Sequence, residues 1–375
     1  GNCESMTSSV PVLVRRHIFG INSKFNSNVA FLDSRIVLYV AGRSIVFYNI
    51  EEHSQRFVVG SSPSAENWLS DPEICAICLS PTTRHLAVAE RGEKPSVTIL
   101  DTESLRKKKC ITIPSGIRSK DICSLSFTAN DLYLAFQCGS PDWKLCVFEW
   151  EKGLMLHCIS TSKDAVLVHQ IQYQAATDDA ESHLLAVCHQ NCIQLHQQTE
   201  KEMTEQKIES AAYQSEHTWT CFCWIADELV CGNSGGDVVV YKHGKFQNKI
   251  LSKSDHCAIT SIQAINDKAV AIGAEDCIIT FLHRTTSSNW NCICNINLAE
   301  SAALDAISSS SLNVDSNRQS VSADSEHPIL SASNLPKDTS EDRNKCIPCG
   351  MSVDSEQTRL IVTTHNKQIY CMDIT

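Results

Sequence analysis

With 375 residues, 42% hydrophobic and 20% charged, the chain has the composition of a globular protein and the length for one large domain or two small ones. Its formal net charge of -11 argues against a general nucleic-acid binder, whose phosphate contacts need clustered Lys and Arg, so any basic function must be local. No apolar run approaches the roughly 20 residues that cross a bilayer, and no secretory h-region opens the chain, which reads as soluble and intracellular.

Gly1-Asn2-Cys3-Glu4-Ser5 would fit a myristoylation pattern behind a removed Met, but so short a pattern recurs by chance. Lipidation at Gly1 is not expected, and residues 1–11 read as a flexible N-terminus. A repeated plan then begins, weakly from Val29 and clearly from Ile74 in ICAICLSPTTRHLAVAERGEKPSVTILD: an alternating strand, a polar turn, a second strand, a loop and a third strand. It returns from Ile122, Val168, Trp219, Ile259 and Ile347. The copies start roughly 40 to 51 residues apart, once an insertion before the last is discounted, near the period of a four-stranded propeller blade. Short β-rich runs without helical periodicity agree.

These observations predict an all-β fold, a seven-bladed β-propeller with degenerate WD40-like repeats, formed by residues 12–299 and 345–375. The last copy finishes its third strand near Thr375, so Val12 to Phe19 is expected to supply its outer strand, a closure that leaves few open sheet edges. Residues 300–344 change abruptly to Ser-rich sequence with almost no aromatic or β-branched content and are expected to be a disordered insertion.

The 20 cysteines are scattered through apolar segments, as small core residues are in a reducing compartment. Cys75 and Cys78 have the spacing of metal ligands, yet residues three apart on a regular strand point to opposite faces with Cα atoms roughly 10 Å apart, too far for a disulfide or joint ligation. Cys346 and Cys349 occupy the matching strand of the seventh copy, a blade away, so a shared zinc site is not expected. Cys221/Cys223 and Cys292/Cys294, two apart, each face one side of a strand and are expected in the core. Gly232-Asn233-Ser234-Gly235-Gly236 fits G-x-S-x-G, but a strand follows Ser234 where a hydrolase elbow needs a helix, and the glycines read as a hairpin turn. Histidines occur singly, and neither a Walker-type loop nor a dinucleotide fingerprint is present. No cofactor or metal is expected.

Arg106-Lys107-Lys108-Lys109 is the one dense basic run. It follows a third strand and is expected on an exposed connection at a blade edge, either as a solvated cluster that keeps the edge from aggregating or as a contact for an acidic partner.

Arg16-His17-Ile18-Phe19-Gly20, the LeuSerPro turn followed by ArgHisLeuAlaValAlaGlu, Glu93-Lys94-Pro95 and the basic run come in the order of one family. Phe148-Glu149-Trp150-Glu151-Lys152, His217-Thr218-Trp219, Asp227 to Gly232 and Asn366 to Tyr370 extend the match over almost the whole chain. The sequence resembles the cilia- and flagella-associated protein 57 family, in its N-terminal propeller. That resemblance implies a non-enzymatic WD-repeat scaffold of the axoneme of motile cilia or flagella, near the inner dynein arms or the nexin-dynein regulatory region. Axonemal proteins would be its partners, with acidic tubulin tails as a target for Arg106 to Lys109. The family's second propeller and coiled coils are missing here, as are the Gly-His and Trp-Asp dipeptides of standard WD repeats; Asp101 and Trp150 reach the strand-end position only approximately. A general cytosolic propeller adaptor for peptides is the other reading, and a serine hydrolase using Ser234 a remote third.

Overall fold

The computed structural model describes residues 20–60, 72–161, 167–175, 182–206, 208, 216–253, 257–285, 289–300 and 346–374. Over these residues the chain forms seven antiparallel sheets, six of four strands and one of three, each built from strands consecutive in sequence. The blades, numbered in chain order, span residues 29–59, 73–112, 122–160, 168–206, 219–252, 259–297 and 348–373. The repeat pattern thus predicts the observed fold, a seven-bladed propeller. Gly1, the 12–19 strand and, beyond Glu300, the 300–344 insertion lie outside the described residues.

Burial follows position in the blade. Second strands such as Tyr133–Cys138 and Ala269–Ala274 are buried at all six residues, which is why they read as short apolar runs instead of alternating ones. Seven hydrophobic clusters fill the seven junctions between neighbouring blades, so the core is a ring of wedges. Between blades two and three, Phe136 and Phe148 stack with ring centroids 5.4 Å apart. Burying a side chain the size of the fully enclosed Phe136 contributes about 1.5–3 kcal/mol. Blade seven joins blade one without a covalent link: Thr363 Oγ1 donates to Asn28 Oδ1 at 2.7 Å, Phe31 N to Ser352 Oγ at 3.0 Å, and Ser23 Oγ to the His365 carbonyl at 3.1 Å.

The first strands, Val29–Phe31, Glu73–Leu79, Ile122–Phe127, Val168–Tyr173, Trp219–Ile225, Ile259–Asn266 and Pro348–Val353, surround the axis. Among the described residues each has one edge with no strand partner, and at several junctions polar side chains of the adjacent blade substitute for one. Ser124 and Ser126 Oγ accept the amides of Ile171 and Tyr173 at 3.0 and 2.9 Å. Gln170 accepts Phe222 N at 3.2 Å and donates to Phe222 O at 3.1 Å, a strand pairing made by one side chain. Trp224 Nε1 reaches Gln172 O at 3.1 Å, and Gln174 Nε2 reaches Ala226 O at 3.0 Å.

A register shift enters the first strand of blades two to seven, leaving Cys75, Cys123, His169, Thr220, Thr260 and Cys349 as the extra residue. This corrects the expectation for Cys75 and Cys78. Cys75 is itself the bulged residue, so both cysteines lie on the side facing blade three, against its core cluster, while Ile74 and Ile77 pack toward blade one. Cys221 and Cys223 are core residues as expected, but Cys292 and Cys294 are exposed on the outer strand Trp290–Asn297 of blade six. Alternation alone does not say whether a strand is inner or outer.

Replacing Gln170 with Leu keeps the volume but strands the Phe222 amide and carbonyl. The urea midpoint is expected to fall with unchanged slope, by a stability loss of about 1–3 kcal/mol; an unchanged midpoint would show that the side chain does not substitute for a strand.

Candidate functional site

Two regions have the exposure and polarity of a contact site: the axial cavity and the outer strand of blade two. The cavity, about 620 Å³, is lined by first strands, with Cys75, Cys123, His169 and Gln170 on its wall. At its mouth Lys24 Nζ lies 2.8 Å from Glu73, and Arg91 pairs with the same carboxylate. Burial opposes ionisation of Glu73, but the hydrogen bonds from Lys24 and Arg91 outweigh it and hold the carboxyl below its ordinary value. Asp121, half-buried nearby, is raised by burial, against the opposing pull of Arg91. Burial lifts the Cys75 and Cys123 thiols to about 12 and that of Cys78 to about 11. Thiols so protonated react only slowly as nucleophiles at neutral pH. Among the described residues no group of three or more His, Cys, Asp or Glu side chains has metal-site geometry.

The basic run is not on a connection. Lys107–Thr112 is the outer strand of blade two, and Arg106 sits at its entry, with its carbonyl accepting the Asp101 amide at 2.9 Å. Lys108 falls on a register shift, with Nζ 3.7 Å from Asp101 Oδ2. Lys109 turns toward blade three, donating to the Glu151 carbonyl at 3.1 Å. The same contact recurs: Arg56 donates to Glu103 O at 3.3 Å, and the His157 ring meets Thr199 O at 2.8 Å. Arg56, Lys109 and His157 pair with Phe47, Ile99 and Val147, equivalent positions of three successive blades. Each outer strand in blades one to three thus clips the next blade's outermost turn. Lys109 is part of this rim clamp, whereas Arg106, Lys107 and Lys108 are exposed.

Ser234 lies in a hairpin turn, as its glycines predict. Its Oγ accepts the Thr218 amide at 3.1 Å and shares a hydrogen bond with Thr218 Oγ1 at 3.1 Å. Asn233 Oδ1 accepts the amides of Gly235 and Asp237, and Gly236 adopts φ +89°. The strand Asp237–Lys242 follows directly.

One feature of the turns escapes sequence reading. The register places His217, Cys257 and Cys346 at the same point, two residues before the first strand's opening pair. Cys257 Sγ accepts the Asp276 amide at 3.2 Å, and Cys346 Sγ accepts Asn366 Nδ2 at 3.3 Å, so thiols anchor turns in blades six and seven. Cys349 meets Thr363 Oγ1 at 3.4 Å. The two halves of the Cys346-x-x-Cys349 spacing therefore serve separate hydrogen bonds. Trp150, approximate in sequence, is placed by its Nε1 donating to Asp131 O at 2.6 Å and by the His85 ring 4.7 Å away. Asp131 in turn receives Thr82 and His85 from the LeuSerPro turn of blade two.

Comparison with known proteins agrees with the strand and turn words. The family model of the CFAP43 N-terminal domain matches residues 17–303. The chain belongs to this family. Among relatives, mouse cilia- and flagella-associated protein 57 is 26% identical over 242 residues, 63% of this chain and 18% of that protein. Mouse cilia- and flagella-associated protein 44 is 26% identical over 140 residues, 37% of this chain and 7% of that one. The 77 kDa echinoderm microtubule-associated protein of Strongylocentrotus purpuratus is 25% identical over 154 residues, 40% of this chain and 21% of that one. The chain thus spans about a fifth or less of each relative. The solved structure of U3-55K superposes with TM-score 0.61 at 12% identity, covering 91% of this chain and 89% of that one, a likeness of fold.

His169, His189 and His196 of blade four are all lowered from the ordinary 6.5, with burial the largest cause in each. The native state takes up these protons less readily than the unfolded chain. Their contribution is therefore complete above about pH 6.5 and is lost as pH falls through the lower native values. The double variant His189→Gln/His196→Gln is expected to lose less stability than the parent between about pH 6.5 and 5 in urea titrations; parallel pH profiles would contradict this.

Proposed function

We propose that this chain is a WD-repeat scaffold of the axoneme of motile cilia or flagella, without catalytic activity, supporting assembly at the inner dynein arms or nexin-dynein regulatory region. The observation that carries this reading is membership of the CFAP43 N-terminal domain family together with relatives named for cilia and flagella. The propeller supplies a closed ring with many faces for protein–protein contact and a turn, not a nucleophile, at Ser234. Contact with microtubules is supported by two echinoderm relatives named as microtubule-associated proteins and by exposed Arg106, Lys107 and Lys108 at the start of an outer strand. Acidic tubulin tails have the complementary charge, and attraction across an exposed rim acts over about 10 Å at 0.1 M salt.

Tagged protein is expected along the axoneme of a ciliated cell; exclusively cytosolic staining would favour a general propeller adaptor. In co-sedimentation with microtubules, binding is expected to weaken steeply with salt and to drop roughly tenfold in Arg106→Glu/Lys107→Glu at low salt. Lys109→Met should leave binding nearly unchanged. Binding that ignores both salt and charge reversal would show that the basic strand is not the contact.

A further inference from the structure

Blade three holds a pair of thiols in reach of each other. Cys146, on the third strand Lys144–Glu149, and Cys158, on the outer strand Leu154–Ser160, are direct cross-strand partners, and their sulfurs lie 3.8 Å apart. Directly opposed residues of antiparallel strands have Cα atoms about 4.5–5.5 Å apart, inside the roughly 4.4–6.8 Å range of disulfides. Closing the sulfur gap therefore needs side-chain rotation and no change of register. Cys158 is exposed on the blade edge and Cys146 is buried behind it, so an oxidant has access to one sulfur while the other is held as its partner.

We propose that Cys146 and Cys158 form a reversible oxidation site at which a peroxide converts the two thiols to a disulfide, clasping the outer strand of blade three to its body. The exposed Cys158 sulfur, as thiolate, attacks a peroxide oxygen; the O–O bond breaks, a sulfenic acid forms, and hydroxide leaves and is protonated to water. The Cys146 sulfur then attacks the sulfenic sulfur, its proton leaves with the departing hydroxyl as a second water, and the S–S bond forms. Two thiols lose two electrons in total, and hydrogen peroxide becomes two waters. A thiol reductant reverses the step.

The consequence is local and specific. Cys158 follows His157, whose ring holds the Thr199 carbonyl of blade four. The clasped strand also presents Leu154 and Met155, exposed at 52% and 41%. Oxidation would therefore fix the rim clamp between blades three and four and the apolar edge beside it. Burial lifts the Cys158 thiol to about 11, with Cys146 adding to the rise, so reaction is slow at neutral pH and accelerates about tenfold per pH unit below that value.

The test exposes the folded protein to hydrogen peroxide at several pH values, blocks remaining thiols with N-ethylmaleimide, and maps unreduced tryptic peptides by mass. Cleavage after Lys152 separates the two cysteines, so the linked pair is diagnostic. The expected result is a Cys146–Cys158 linked peptide lighter by two hydrogens, formed faster at higher pH, released by dithiothreitol and absent in Cys158→Ser, whose position on the exposed edge leaves folding intact. In Cys146→Ser, Cys158 should instead be trapped by dimedone as a sulfenic acid. Recovery of both cysteines as maleimide adducts while exposed Cys110 or Cys292 is oxidised would overturn the proposal. So would pairing of Cys158 with a second molecule, or of Cys146 with Cys138.

Discussion

A propeller must satisfy the backbone edges that point at its own axis. Seven first strands each present amides and carbonyls with no further strand to receive them, and a buried backbone group without a partner costs on the order of 1–3 kcal/mol. In this chain the answer is a set of short polar side chains on those strands, each reaching across a blade junction. Gln170 on Phe222, and Ser124 and Ser126 on Ile171 and Tyr173, are the clearest cases. The same bonds that satisfy the inner edges also tie neighbouring blades together. The ring is therefore held at the axis by polar pairing, in the wedges by apolar clusters, and at the rim by the Arg56, Lys109 and His157 contacts.

The architecture was legible because its cause is local. Each copy carries its own alternating first strand, apolar second strand and turn, and the spacing of copies counts the blades. What stayed hidden depends on register or neighbours. The bulge at Cys75 is one residue in the pairing of Glu73–Leu79 with His85–Arg91, and no residue type announces it, so strict alternation misplaced Cys75 relative to Cys78. Cys292 and Cys294 share the spacing of Cys221 and Cys223 but lie on an outer strand. Lys109 reads as one of four equal charges and becomes a clamp only beside the Glu151 carbonyl. The position shared by His217, Cys257 and Cys346 was invisible for the same reason: equivalence emerges from pairing, and the residue types differ.

The axial cavity is rimmed by Lys24 and Arg91, both paired with Glu73, and its thiols are held protonated by burial. The rim is different. There the acidic chain displays Arg106 at the entry of an open strand and Lys107 and Lys108 on it, next to a clamp that fixes the strand's position relative to blade three. A charged strand resists pairing with another sheet edge while remaining open to a partner of opposite charge. A scaffold needs such exposed, rigidly placed groups more than it needs a pocket.

Replacement of a strand at the axis by side chains from neighbouring blades is measurable by native-state hydrogen exchange at individual amides. The amides of Phe31, Ile171, Tyr173 and Phe222 should exchange as slowly as mid-blade amides such as Leu134 and Val147, all limited by one global opening. Fast exchange at these inner-edge amides under conditions where Leu134 and Val147 stay protected would contradict it, because the edges would then be open to water in the folded ring.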